Sequence, residues 1–447
     1  MGNAFKAYDI RGIYGEDFTK EDVYSTGYFL PRLLRTDSVL IGRDVRISSP
    51  EIYTALIEGI TDAGADVYNM GLATTPMVYY FTAKHHFDAS VQITASHNPA
   101  KYNGLKISTT NALPVGYDTG LNKLENWVKN ENIYPSSNKG KIVDCNLRDE
   151  YIVFLKEYVN DFSNLNIVVD CSNGMASLLI KDILGNNPVY INTDMDGTFP
   201  NHEPNPLEAK NIVQLQQTVK ENHADMGIIF DGDADRVMFV DEHAKFIPPD
   251  IMIAVLGHYF LEEKQQKGNV LFDIRTSKSV EEYLKSMGAT TNIWKVGRAY
   301  AALKLREIDG IFGGELAGHY YFKDFFYSDS GILACILLLN IFAKFKRMNI
   351  TVSQLTEKIA KYANSGEINF KIQDKQKAID SIKNYFCNIE TPLAFYDFDG
   401  YRIEFKLWWF NIRPSNTEPY LRFIAEAQTQ DILDEKINTV KRLLQQT

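Results

Sequence analysis

Short apolar runs recur along the chain, each closed by a polar loop, with helical periodicities between them. Val39-Leu40-Ile41-Gly42-Arg43-Asp44, Ile167-Val168-Val169-Asp170-Cys171-Ser172-Asn173-Gly174 and Val270-Leu271-Phe272-Asp273 each read as a buried strand entering a loop. Between Glu51 and Asp66, the residues Ile52, Leu56 and Ile60 fall at i, i+4 and i+8, one stripe of an amphipathic helix. The longest apolar stretch, Ile332 to Phe345, is interrupted by Asn340 and closes in Lys344-Phe345-Lys346-Arg347. That is short for a bilayer span and predicts a buried core helix. Strand, loop and helix in alternation predict α/β domains with their sites at strand ends.

A chain of 447 residues exceeds what one core serves. The polar segment Lys129 to Lys141 places a boundary near 142, the turn Phe246-Ile247-Pro248-Pro249-Asp250 one near 247, and Asn364-Ser365-Gly366 one near 364. The expected units are residues 1–142, 143–247, 248–364 and 365–447. The first three share the strand–loop theme. In the last, a helix from Gln376 to Tyr385 precedes strands from Tyr401 to Phe405, a loop, and an amphipathic helix from Ile432 to Leu444.

Composition narrows the function classes. With 45% apolar and 23% charged residues the chain is an ordinary globular one, and a net charge of −10 argues against a general nucleic-acid binder. Cys145, Cys171, Cys335 and Cys387 form no C-x-x-C pair, so neither a zinc site nor a disulfide framework is expected. Charged and polar residues begin at Lys6, where myristoylation would want Ser or Thr, so no leader or lipid anchor is expected. The expectation is a cytoplasmic protein without membrane or nucleic-acid partners, monomeric or homodimeric.

Four loops carry candidate chemistry. Asp231-Gly232-Asp233-Ala234-Asp235 follows the apolar run Met226-Gly227-Ile228-Ile229-Phe230. Three carboxylates at alternate positions repel one another and need a cation; oxygen ligands of this kind suit Mg²⁺ or Ca²⁺. An EF-hand is disfavoured: Glu242 fits its last position, but Arg236 stands where Gly is required. A phosphatase using Asp231 as nucleophile and Asp233 as acid, or a plain acidic turn, are the alternatives. Thr94-Ala95-Ser96-His97-Asn98-Pro99 sets a hydroxyl beside an imidazole, and Lys106 follows ten residues after Ser96. Taken alone, such a pair more often caps or turns a chain. Arg413-Pro414-Ser415-Asn416-Thr417, with Arg422 beyond it, reads as an anion cradle in which each charge-assisted contact contributes about 1.5–3 kcal/mol. Gly313-Gly314-Glu315-Leu316-Ala317-Gly318-His319 permits close backbone approach to a ligand; Glu315 suits sugar hydroxyls, and His319 a phosphate contact or proton shuttle.

Together these loops resemble the α-D-phosphohexomutase superfamily, in its phosphomannomutase/phosphoglucomutase branch. The likeness extends to Tyr8-Asp9-Ile10-Arg11-Gly12, Gly42-Arg43-Asp44-Val45-Arg46 and Asp196-Gly197-Thr198-Phe199-Pro200-Asn201-His202. It implies three similar mixed α/β domains and a smaller C-terminal α+β domain, TATA-binding-protein-like, around a central cleft. It implies that Ser96 is a phosphoserine, that Asp231, Asp233 and Asp235 hold Mg²⁺ with it, and that a bisphosphorylated hexose is intermediate and activator. Tyr8, Arg11, Lys106 and His319 match positions that line the active site and help proton transfer, and His97, beside Ser96, is a further catalytic candidate. Arg236, Glu315, Lys295 and Arg298 are expected to face the sugar phosphate, and Arg413, Ser415, Asn416, Thr417 and Arg422 its non-reacting phosphate.

Two departures bear on the sugar. Ala317 stands where relatives carry a Ser, and Arg298 where they often carry a His, exchanging a proton shuttle for a permanent cation. The expected reaction is interconversion of mannose or glucose 1- and 6-phosphates. Phosphoglucosamine mutase, an Asp231-dependent phosphatase and a non-enzymatic sugar-phosphate sensor are the rivals.

Overall fold

The computed structural model describes residues 4–415 and 420–445. Four sheets follow one another along the chain. The first holds seven strands, ordered Ile10–Ile13, Tyr102–Thr109, Ala89–Ile93, Ser38–Arg43, Asp66–Leu72 and Ile142–Asp144, with Leu113–Pro114 paired to Tyr102–Thr109. Its last strand reaches Asp144 and lies parallel to Asp66–Leu72, so the sheet runs on past the boundary expected near 142. An exposed, polar-flanked strand of this length carries no periodicity strong enough to register in sequence.

The second and third sheets hold five strands each, and the fourth is an antiparallel sheet of six, backed by the helices Lys375–Ile389 and Gln430–Leu444. Mixed α/β layers followed by a smaller antiparallel unit match the fold class expected from sequence. The stripe at Ile52, Leu56 and Ile60 lies on the helix Ser49–Asp62, whose second residue, Pro50, suits a first turn that needs no N–H donor there. The run expected as a core helix is Gly331–Arg347, capped by the Ser330 hydroxyl and buried from Gly331 to Ala343. None of the described helices is long and apolar enough to cross a membrane.

One arrangement recurs in the first three sheets and sets the site. Ala89–Ile93 runs parallel to Ser38–Arg43, then turns into an antiparallel hairpin with Tyr102–Thr109. Met226–Phe230 is parallel to Ile167–Asp170 and antiparallel to Val237–Asp241. Phe312–Gly314 is parallel to Asn269–Asp273 and antiparallel to Tyr320–Phe322. The three hairpin turns are the Ser96 loop, the Asp231 loop and the Glu315 loop. A parallel strand that reverses at its carboxyl end exposes that turn outside the sheet, the place where α/β sites form.

Candidate active site

The Ser96 and Asp231 loops meet face to face. Ser96 is 1% exposed and takes a left-handed backbone, φ +52°, which turns its hydroxyl out of the strand line. The hydroxyl donates to Asp231 Oδ2 at 2.8 Å, across 135 residues of chain. Gly232 is required by this approach, since a Cβ there would lie 2.6 Å from the Ser96 carbonyl oxygen.

Arg46, fully buried, fixes the serine loop from behind. Its Nη2 donates to the carbonyls of Ser96 at 2.8 Å and Asn98 at 2.6 Å, and its Nη1 to Pro99 at 2.8 Å and Tyr102 at 3.0 Å. Nε is paired with Asp44 Oδ2 at 3.1 Å, and Asp44 is in turn held by the Ser49 hydroxyl at 2.6 Å. Arg46 closes the segment Gly42-Arg43-Asp44-Val45-Arg46, and no local pattern there encodes its clasp of four carbonyls.

Asp231, Asp233 and Asp235 are each 0% exposed, and one oxygen of each lies within 4.8 Å of the others. Lys106 Nζ donates to Asp233 Oδ2 at 2.6 Å and Asp235 Oδ2 at 2.5 Å. Burial disfavours the Lys106 ammonium, but Asp233 and Asp235 outweigh it and raise its pKa. The Thr75 hydroxyl, on the first turn of the helix Thr75–Lys84, donates to Asp233 at 2.5 Å. Burial, then the charges of Asp235 and Asp233, push the Asp231 carboxyl well above its ordinary value.

The trio fits a hard divalent cation. Asp233 Oδ1 and Asp235 Oδ1 are buried without a hydrogen-bond partner, and a buried carboxylate oxygen of that kind is costly unless something else satisfies it. An all-oxygen donor set of carboxylates is the chemistry that Mg²⁺ takes.

His319 comes to the same place from the third sheet. Arg236 Nε donates to His319 Nε2 at 2.9 Å, so the ring proton sits on Nδ1 and is donated to Asp329 Oδ2 at 2.7 Å. Arg236 also lies 3.9 Å from both Asp231 and Asp235. Burial would raise the Asp329 carboxyl, but Arg298 and His319 outweigh it and hold it at about 2. His97 Nδ1 lies 3.4 Å from Ser96 Oγ; burial, then the cations Arg236, Arg11 and Lys106, keep its imidazole neutral. Arg11 donates to Asn98 Oδ1 at 2.9 Å and pairs with Asp9.

The remaining expected residues form two neighbouring groups. The Tyr8 hydroxyl donates to the Val296 carbonyl at 3.3 Å, and Glu315 Oε1 accepts from Gly297 N at 2.7 Å. Lys295 sits 5.4 Å from the Tyr300 ring centroid, and Ala317 is half-buried at the loop tip. Arg298 is turned toward Asp329 at 2.9 Å and lies 3.6 Å over the Tyr79 ring. In the fourth sheet, Arg413 and Arg422 both pair with Glu367, and Ser415 N donates to the Tyr420 carbonyl at 2.9 Å. Asn416 and Thr417 lie outside the described residues. Asp329, Thr75 and Glu367 carried no sequence signal: Thr75 and Glu367 find their partners far along the chain, and Asp329, ten residues after His319, lies on a separate strand outside any motif.

Comparison with known proteins agrees across the whole length. Family profiles described as phosphoglucomutase/phosphomannomutase match in four successive pieces: alpha/beta/alpha domain I over residues 2–134, domain II over 149–244, domain III over 248–362 and the C-terminal domain over 367–440. A phosphomannomutase of Methanocaldococcus jannaschii is 36% identical, the match covering 98% of this chain and 97% of that one. One from Escherichia coli is 33% identical, over 98% of each. A solved structure of a phosphoglucomutase/phosphomannomutase family protein from Burkholderia thailandensis superposes with a TM-score of 0.89 at 27% identity, covering 99% of this chain and 98% of that chain.

Proposed function

Since the chain belongs to the phosphoglucomutase/phosphomannomutase family and is a hexose phosphate mutase, we propose that it interconverts the 1- and 6-phosphates of mannose or glucose, with Ser96 as the phosphoryl carrier. The observation that carries this reading is the Ser96 hydroxyl, 2.8 Å from Asp231 and beside two buried carboxylate oxygens, Asp233 Oδ1 and Asp235 Oδ1, that accept no hydrogen bond. Asp231, Asp233 and Asp235 would hold Mg²⁺, which supplies charge stabilisation for a phosphoryl group in flight.

The chain's own residues do the rest. Arg46 and the left-handed backbone aim Oγ at the acidic trio, so positioning is fixed before substrate arrives. The P–O bond to Ser96 breaks as a new one forms to a sugar hydroxyl oxygen, giving a bisphosphorylated hexose. The hydroxyl's proton passes to His319 Nε2, whose lone pair is held by Arg236 in the described state, and Asp329 stabilises the imidazolium that forms. After the sugar turns over, the other phosphate returns to Oγ. Lys106 and Arg236 balance the charge on the moving group. Arg413 and Arg422 hold the phosphate that does not react, while Glu315 and Ala317 face the ring.

The phosphatase alternative is weakened by Asp231 itself. One of its oxygens accepts from Ser96 Oγ and the other from Arg236 N at 3.1 Å, so the carboxylate is turned onto the proposed phosphoryl carrier, and the family profile matching this segment is that of the mutases. Coupled assays of mannose 1-phosphate, glucose 1-phosphate and glucosamine 1-phosphate isomerisation, primed with a catalytic amount of bisphosphorylated sugar, test the proposal. Turnover on one or more, lost in Ser96→Ala, supports it; failure on all three, or Ser96→Ala with full activity, removes it.

A further inference from the structure

Glu367 lies where guanidiniums from two different sheets converge. Arg413 and Arg422 are direct cross-strand partners on Trp408–Pro414 and Leu421–Ala427, an arrangement that is repulsive for like charges. Glu367, one residue before the strand Ile368–Phe370, sets Oε1 3.0 Å from Arg422 Nη1 and Oε2 3.6 Å from Arg413 Nη2. The same Oε2 lies 3.3 Å from Arg275 Nη1, which arrives from the loop after the third sheet's strand Asn269–Asp273.

Arg275 is itself held. Its Nε donates to Asp273 Oδ1 at 3.0 Å and its Nη2 to Oδ2 at 2.8 Å, and Oδ2 also accepts from Leu316 N at 2.8 Å. A continuous chain of contacts therefore runs from the two clamp arginines through Glu367, Arg275 and Asp273 to the backbone beside Glu315. Arg413, 3% exposed, spends one Nη on Glu367, and its Nε has no hydrogen-bond partner. Burial would raise the Glu367 carboxyl, but Arg275, Arg422 and Arg413 outweigh it, so it stays ionised.

We propose that Glu367 is a positioning residue for the substrate's phosphate: it holds Arg413 and Arg422 together as one cradle and ties that cradle, through Arg275 and Asp273, to the loop bearing Glu315. The proposal rests on the reading that these arginines grip the non-reacting phosphate. A carboxylate here acts as a counter-ion that keeps like charges adjacent, not as a plug competing with substrate. The two roles predict opposite signs.

The test compares wild type, Glu367→Gln, Glu367→Asp and Arg413→Ala on mannose 1-phosphate or glucose 1-phosphate, whichever turns over faster, with inorganic phosphate as a competitive inhibitor. Losing one charge-assisted arrangement should raise KM, and the inhibition constant of inorganic phosphate with it, about tenfold in Glu367→Gln. The rise in KM should exceed any fall in kcat, and Glu367→Asp should recover most of it. An unchanged or lowered KM in Glu367→Gln, or a loss confined to kcat, overturns the positioning role. If Glu367→Gln does not fold, an Asp variant with wild-type constants supports the role, and one with a KM raised as far as that of Arg413→Ala overturns it. Arg413→Ala keeps the two claims apart: wild-type KM and phosphate inhibition there would remove the clamp reading itself.

Discussion

Arg46→Lys is the most demanding perturbation of the proposed chemistry, because it alters no group that touches substrate. The guanidinium makes four contacts to carbonyl oxygens and one to Asp44. An ammonium has three N–H donors, so at least two of these contacts are lost. At about 1.5–3 kcal/mol per charged hydrogen bond, the cost is roughly 3–6 kcal/mol, with buried carbonyls left unsatisfied. Part of that falls on stability. The rest falls on Ser96, whose left-handed backbone is disfavoured by about 1–2 kcal/mol and is retained only while its carbonyl is gripped. Once released, Oγ drifts from Asp231, and a displacement of about 1 Å is enough to lower kcat roughly a hundredfold. The assay is steady-state isomerisation well below the melting midpoint, with circular dichroism confirming the fold. A large fall in kcat with KM little changed is expected. A folded Arg46→Lys enzyme whose kcat stays within about threefold of wild type would refute the positioning argument.

Three further outcomes follow from the same geometry. Ala317→Ser should lower KM for the preferred sugar phosphate about twofold to tenfold, the worth of one hydrogen bond, as read by steady-state kinetics. Adding Mg²⁺ to chelator-treated protein should raise its stability by about 2.7 kcal/mol at a hundred times Kd, and Asp235→Asn should shrink that shift in a melting experiment. Burial, reinforced by Glu426 and Asp273, raises the Asp250 carboxyl to about 7. Because the folded value exceeds the unfolded one, its contribution is complete below about pH 4 and is lost as pH rises through about 7. Asp250→Asn should therefore flatten the fall in stability between about pH 4 and 7 in denaturant titrations.

Much of this site was legible in sequence because its chemistry is local. Asp231, Asp233 and Asp235 announce themselves by spacing, and Ser96 by its neighbours and by Lys106 one strand later. The long core helix and the two helices of the last unit were readable from periodicity alone. What the sequence hid is pairing across distance. Arg46 finds the Ser96 loop at a separation of 50 residues, and Thr75 finds Asp233 at 158. Arg298 was expected to face the substrate, and its partners, Asp329 and Tyr79, come from a strand of the third sheet and from the helix Thr75–Lys84. No local pattern encodes which distant side chain will neutralise a charge, since that depends on how finished domains dock.

The three hairpin turns each occupy the same address in their own sheet, and each brings one ingredient that is inert by itself. On the proposed mechanism, a hydroxyl, a carboxylate box and an imidazole on separate blocks acquire chemistry only when the blocks are pressed together. Catalytic competence is thus a gauge of quaternary-like assembly within one chain. Agitation that merely parts the blocks will silence turnover while every β-ladder stays paired.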